Sequence, residues 1–319
     1  MSNYLSNEGV LLLGAGPMAV EYAKVLKALG LKFHVIGRGL QSAATFTEQT
    51  DHPVFLEGLE HWVENQKFLP KVAIVAVSME QLAPVTISLL KIGIRKILVE
   101  KPAGLNSLEI RNVAICAQQN EAHVYVAYNR RFYSSTLQAL EIIKADGGLT
   151  SFNFEFTEWI HAIAELDKPI EVKKALLLGN SSHVIDLAFF LGGEPIEISC
   201  YTTGGLDWHP NATIYAGAGR VQNGALFSYQ ANWEAPGRWG VEILTRKHRL
   251  IFRPLEELHC QDMRSIIIRK IDLEDELDHK FKPGLYRQLE AFLLGKNDEN
   301  LLDIQNHVSF VKFYDLIDK

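Results

Sequence analysis

Val10-Leu11-Leu12-Leu13-Gly14-Ala15-Gly16-Pro17-Met18-Ala19 decides the fold of this chain. An apolar run of strand length passes into Gly-x-Gly-x-x-Ala and then directly into a helical pattern. That order is the fingerprint of a dinucleotide-binding βαβ unit. Each small residue has a mechanical task. Gly14 permits the tight turn out of the strand, Gly16 lets a pyrophosphate approach the backbone, and Ala19 keeps the helix close to the sheet. Pro17 suits a first helical turn, where its missing N–H costs nothing. The N–H groups of that turn, around Met18, receive phosphate charge.

Outward from this loop, Val20, Ala23 and Leu26 form the apolar stripe of a helix that Gly30 ends. A second strand follows over 31–36, then Gly37-Arg38-Gly39. An acidic side chain after this strand would take the adenosine ribose hydroxyls of NAD. Arg38 stands there instead and offers a guanidinium to a 2′-phosphate, so the expected cofactor is NADP, with NAD the alternative. The run 72–77 is continuously apolar, as in a parallel strand buried on both faces. A helix over 81–92, a strand over 96–99, a helix capped by Asn106 and Glu109, and a strand over 124–127 continue the alternation. The fold class predicted is an α/β Rossmann domain, a doubly wound parallel sheet, over 1–127. Gly14, Arg38, Ser78, Lys101 and Asn129 all fall at strand carboxyl ends, where such sheets bind ligands.

The chain has 319 residues, which favours two domains. A formal charge of −6 without a long Lys/Arg tract gives nucleic acid no general attraction. No apolar run reaches membrane-spanning length, and residues 1–9 lack the pattern of a signal peptide. Cys116, Cys200 and Cys260 are far apart, without metal-ligand spacing; they are expected to be thiols in a reducing cytoplasm, and no metal site is expected.

With the glycine loop upstream, Val99-Glu100-Lys101-Pro102 and Tyr128-Asn129-Arg130-Arg131-Phe132 make the chain resemble the glucose–fructose oxidoreductase / inositol dehydrogenase (Gfo/Idh/MocA) family. The resemblance is specific over the first 135 residues or so and looser beyond. It implies that Lys101 reaches the reacting hydroxyl beside the nicotinamide and that Glu100 hydrogen-bonds the neighbouring ribose. Read alone, Glu100 is equally a local partner for Lys101. The chemistry suits a lysine: a cation near the oxygen stabilises a developing alkoxide, or polarises a ketone in the reverse direction. Members often carry Thr-Pro-Asn where this chain has Ser78-Met79-Glu80, which leaves Ser78 as the cofactor contact in that loop.

The second half, 128–319, reads as an α+β substrate-binding and oligomerisation domain. A helix over 133–146 precedes Gly147-Gly148 and a strand in which Phe152, Phe154 and Phe156 alternate with polar residues. Further strands over 196–201, 212–215, 225–233, 239–244, 250–253 and 266–271 predict one large, mostly antiparallel sheet. Helices over 285–294 and 302–317 end the chain. In Gly179-Asn180-Ser181-Ser182-His183-Val184-Ile185-Asp186, His183 and Asp186 share a helix face, which would let Asp186 orient the imidazole. The resemblance implies a substrate-facing histidine at His183 with an aspartate three residues on. It also implies an aspartate four residues before the histidine, where this chain has Gly179. Trp159, His161 and Trp233 are candidate sugar-binding residues at strand ends, and an apolar sheet face predicts a homodimer or homotetramer. Together these features predict an NAD(P)-dependent oxidoreductase acting on a secondary alcohol or ketone of a sugar, cyclitol or nucleotide-sugar. The alternative is a non-catalytic sensor of the same fold, favoured by Gly179.

Overall fold

The computed structural model describes residues 9–319 apart from Lys67 and Asn297, so the leader reading of the first residues lies outside the described residues. The chain divides into two compact units. One is the described part of Met1–Tyr128 together with Leu277–Val308, and the other is Asn129–Glu276 with Ser309–Lys319.

The first unit carries parallel strands β1 (Val10–Leu13), β2 (Phe33–Ile36), β3 (Val54–Phe55), β4 (Val72–Val75), β5 (Lys96–Glu100) and β6 (His123–Ala127). Their order is β3-β2-β1-β4-β5-β6, with the short strand Leu302–Asp303 antiparallel on β6. Strands β1 and β4 are apolar throughout because helices cover both faces of a parallel sheet. The order in which strands are added switches sides between the parallel neighbours β1 and β4, which places the ligand crevice beyond their carboxyl ends. Gly14 is indispensable at this point: its φ is +114°, and a Cβ there would lie 2.2 Å from the Ala76 carbonyl oxygen at the end of β4.

Sequence periodicity did not reveal the helix Leu40–Thr50, strand β3 or the helix Gly58–Glu64. The C-terminal region departs from a contiguous second domain. Helix Leu285–Leu294 buries Leu285, Leu289 and Phe292 in the core of the first unit. The segment read as one helix over 302–317 begins as a strand, and the helix runs Ile304–Ile317.

The second unit is built on β7 (Leu149–Glu155), β8 (Pro195–Thr203), β9 (Ile214–Val221), β10 (Leu226–Asn232), β11 (Gly240–Thr245), β12 (His248–Phe252), β13 (His259–Asp262) and β14 (Ile268–Lys270). The order is β14-β13-β12-β11-β7-β10-β9-β8; every pairing is antiparallel except β7 with β10. Its inner face is aromatic: Phe152, Phe154, Phe227 and Tyr229 stack across β7 and β10, and Phe189 of helix Ser182–Gly192 meets three of those rings. Strand alternation puts Asn153, Ser228 and Glu242 on the other face beside Leu226, so that face is mixed rather than apolar. Among the described residues no helix is long and apolar enough to cross a membrane.

Candidate active site

In the first unit the glycine loop leaves room for a ligand. An added Cβ at Gly16 meets nothing within 4 Å, and helix Pro17–Ala28 starts at Gly16 with no side-chain cap. Its first-turn N–H groups, those of Met18 and Ala19 among them, are therefore available to an anion. This cradle fits the pyrophosphate of a dinucleotide. Arg38 is exposed just beyond β2, where the adenosine end would lie. Ser78 is also exposed, two residues past Ala76, and its hydroxyl donates to Glu80 at 2.5 Å.

Glu100 has a partner that sequence reading missed. The Tyr22 hydroxyl, on the helix after the glycine loop, donates to its Oε1 at 2.7 Å. Burial pushes the Glu100 carboxyl up, while Tyr22 and Lys101 pull it back. Burial and the adjacent carboxylate likewise push the Tyr22 phenol up. The turn after Lys101 is held from far along the chain: the buried His307 ring nitrogen lies 3.0 Å from the Pro102 carbonyl oxygen. No local pattern joins residues so distant, so sequence carried no signal for this support.

In the second unit His183 lies on helix Ser182–Gly192, nearly buried, with its ring 6.0 Å from that of Trp239. The preceding Leu177–Ser181, which holds Gly179, is a π-helical turn. Such turns occur mostly as local insertions, frequently at functional sites. The expected pairing of Asp186 with His183 is corrected. Both Asp186 oxygens take Arg131, from Nε to Oδ2 at 2.9 Å and from Nη2 to Oδ1 at 2.6 Å. The pair is buried on both sides and forms a fork-to-fork bridge, the geometry guanidinium and carboxylate prefer.

A carboxyl group that sequence analysis did not single out lies in this region. Glu158, just past β7, is buried, with Oε1 accepting from the Ser181 hydroxyl at 2.7 Å and Oε2 from the Asn180 amide at 2.9 Å. Burial pushes its carboxyl up; Ser181, Arg238 and Asn180 oppose that rise. Its acidity was visible in the sequence, but its burial depends on a turn more than twenty residues away.

The expected aromatic residues separate. Trp159 is 52% exposed, and its indole N–H donates to the Gly237 carbonyl at 3.0 Å. His161 is exposed on the short helix that follows. Trp233 is a core residue: it is 2% exposed, its indole N–H donates to the Phe156 carbonyl, and its ring packs on His209 and Tyr215. Alternation along β10 pointed it inward, and a strand-end tryptophan looks the same from sequence in either setting. Asn129 opens the second unit, buried, with its side-chain oxygen 3.5 Å from Arg130 Nη1.

Among the described residues His248, Cys260 and Asp262 bring ligand-type atoms within 4.8 Å of one another. Their neighbours already supply ionic partners. Asp146 meets His248 Nδ1 at 2.6 Å, and Arg269 meets Asp262 at 3.3 Å.

The sheet order and the glycine cradle define the first unit as a Rossmann-type dinucleotide-binding fold. Residues 9–128 match the model of a family described as an oxidoreductase family with an NAD-binding Rossmann fold, Gfo/Idh/MocA. Solved structures match along nearly the whole length. Levoglucosan dehydrogenase in complex with NADH aligns at a TM-score of 0.77 and 18% identity, over 97% of this chain and 95% of its own. UDP-N-acetylglucosamine 3-dehydrogenase of Acidithiobacillus ferrooxidans aligns at 0.74 and 14%, over 97% and 95%. An oxidoreductase of Agrobacterium radiobacter in complex with NAD⁺, L-tartaric acid and magnesium aligns at 0.75 and 11%, over 96% and 94%. At these identities the likeness establishes the fold. No curated protein matches the sequence.

Proposed function

We propose that this protein is an NAD(P)-dependent oxidoreductase that moves hydride to or from a secondary alcohol or ketone of a sugar, cyclitol or nucleotide-sugar. The observation that carries the reading is Lys101, placed at the carboxyl end of β5 in a sheet whose β1 end bears the open glycine cradle. A bound nicotinamide supplies the hydride acceptor or donor. Lys101 stabilises negative charge on the reacting oxygen, and His183 holds or releases its proton. Gly14, Gly16, Pro17 and Met18 hold the pyrophosphate end, Glu100 the nicotinamide-side ribose, and Ser78 and Asn129 complete the cofactor contacts. Trp159 and His161 face the carbohydrate. The dehydrogenase neighbours named for levoglucosan and for UDP-N-acetylglucosamine support a sugar substrate.

We assign NADP as the preferred cofactor because Gly37-Arg38-Gly39 offers a guanidinium and no carboxylate. Arg38→Ala is expected to narrow the gap between NADP(H) and NAD(H) in calorimetry; tighter NAD(H) binding by the unaltered protein reverses the assignment. Cys116, Cys200 and Cys260 are unbridged, which supports a reducing, cytoplasmic setting. The experiment that tests the function is a panel of sugars and nucleotide-sugars incubated with protein and each oxidised cofactor, followed by reduced-nicotinamide absorbance. Turnover of a carbohydrate supports the reading. Cofactor binding without turnover of any member removes it.

A further inference from the structure

Around His183 the second unit assembles an alternation of cations and indoles. The Arg130 guanidinium lies 4.9 Å from the centre of the Trp239 ring. Arg238 lies 4.5 Å from that same ring and 4.7 Å from Trp159. Cation–π contact fixes the planes of both guanidiniums but uses few of their N–H donors. Trp239 in turn packs at 6.0 Å from the His183 ring, so the alternation borders the histidine assigned to proton handling.

Neighbouring arginines show what a fully neutralised guanidinium looks like in this unit. Arg131 is bidentate on Asp186, and Arg253 is 2.8 Å from Glu155. Arg130 and Arg238 differ from them. The buried Nε of Arg130 has no hydrogen-bond partner among the described residues, and its Nη1 reaches only the neutral Asn129 amide oxygen at 3.5 Å. Asp186 also feels Arg130, but both of its oxygens are committed to Arg131. Among the described residues the carboxylate beside Arg238 is Glu158, at 3.7 Å, and Glu158 is divided between Ser181 and Asn180. Burial also pushes the Glu158 carboxyl up, which weakens it as a counter-charge. The result is local positive charge next to an exposed indole face, half open to solvent at Arg238.

We propose that Arg130 and Arg238 form an anion subsite, and that the substrate is a carbohydrate bearing a carboxylate or phosphate group with its ring against Trp159. This rests on the oxidoreductase reading and narrows its substrate class. A carboxylate or phosphate satisfies the N–H groups that protein acids leave open, through charge-assisted bonds of the stronger kind. The indole offers its face to sugar C–H groups.

The test is calorimetric titration of the protein saturated with its reduced nicotinamide cofactor, which fills the phosphate cradle of the first unit. The probes are glucuronate, glucose 6-phosphate and, as the neutral control, glucose. At low salt at least one anionic sugar is expected to bind on the order of 10- to 100-fold more tightly than glucose, with the advantage shrinking as salt rises. Preference for glucuronate identifies a carboxylate, and preference for glucose 6-phosphate a phosphate. Arg238→Gln, at a half-exposed position, and Arg130→Gln should each remove most of that advantage. Arg130→Lys, which keeps the charge, should restore part of it. Equal affinity for neutral and anionic sugars, no anion binding at all, or a preference that survives both glutamine variants overturns the subsite. Hydride-transfer assays separate the two readings. Anion binding as described without any turnover leaves the subsite standing and removes the enzyme, whereas turnover of neutral sugars without anion preference does the reverse.

Discussion

Gly14 and Gly16 stand two residues apart in one loop and answer to different demands. Gly14 combines a positive φ with an approach to Ala76 that leaves no space for a methyl group. Gly14→Ala is therefore expected to destabilise the protein by about 1–3 kcal/mol or more. Gly16 has an extended backbone and open space, so Gly16→Ala should leave stability within about 0.5 kcal/mol while weakening cofactor binding. Urea denaturation and cofactor calorimetry on the two variants check the contrast; equal loss of stability in both contradicts it. Glu158 sets a pH dependence. Burial raises its folded-state pKa above that of the unfolded chain, so between the two values the folded state binds more protons. Its contribution is fully present below the unfolded carboxyl pKa of about 4.3 and is lost as pH rises through the raised folded value. Glu100 contributes with the same sign. Glu158→Gln should flatten the decline in urea midpoint above about pH 4.3, and an unchanged slope would count against the buried-carboxyl account. At this scale the glycines could be singled out from their local spacing, and Lys101 and His183 from the family resemblance that their neighbouring residues carry. Tyr22 on Glu100 and Arg131 on Asp186 could not, since each pairing joins residues more than fifty positions apart.

Elements were legible where burial imposed a pattern. Strands β1, β4, β5 and β6 and the Asn106 cap were read from apolar runs and spacing; the Asn106 side chain accepts the Glu109 N–H at 3.0 Å. Helix Leu40–Thr50 escaped because it buries only Ala43, Phe46 and Thr50, too few for a visible apolar stripe. Strand Leu302–Asp303 escaped because two residues carry no period and its partner lies far back in β6. Helix Ser182–Gly192 was legible, but not the π-helical turn before it nor the ion pair that ties it to the Asn129–Phe132 turn. That pair gives a test of the element. Asp186→Ala removes the carboxylate that takes the buried Arg131 guanidinium and should cost about 3–5 kcal/mol. Replacing both residues with apolar side chains of similar volume should cost much less, because the desolvation penalty leaves with the charges. Thermal or urea unfolding of the single and double variants decides between them.

For the whole chain, composition and alternation were enough to read a parallel sheet followed by a mostly antiparallel one. They were not enough to show that Leu277–Val308 returns to the first unit, because that return depends on packing and not on local pattern. Self-association is expected at the second unit, for a different reason from the apolar face read from sequence. The face carrying Asn153 and Glu242 is mixed, while Met263, Ile266, Ile267 and Ile268 stand exposed at and beside the edge strand β14. An uncovered apolar edge is a ready pairing surface. Light scattering at micromolar protein should give a dimer or tetramer; a mass of 35.9 kDa, that of one chain, rejects this. The central claim is hydride transfer assisted by Lys101, and one measurement reaches it most directly: turnover by the unaltered protein and by Lys101→Ala, on a carbohydrate from the panel, with cofactor affinity measured alongside. With the pyrophosphate assigned to Gly14–Ala19 in the proposed reading, the variant should bind cofactor as before and lose about 10²–10⁴-fold in turnover. Near-normal turnover by Lys101→Ala would contradict the account.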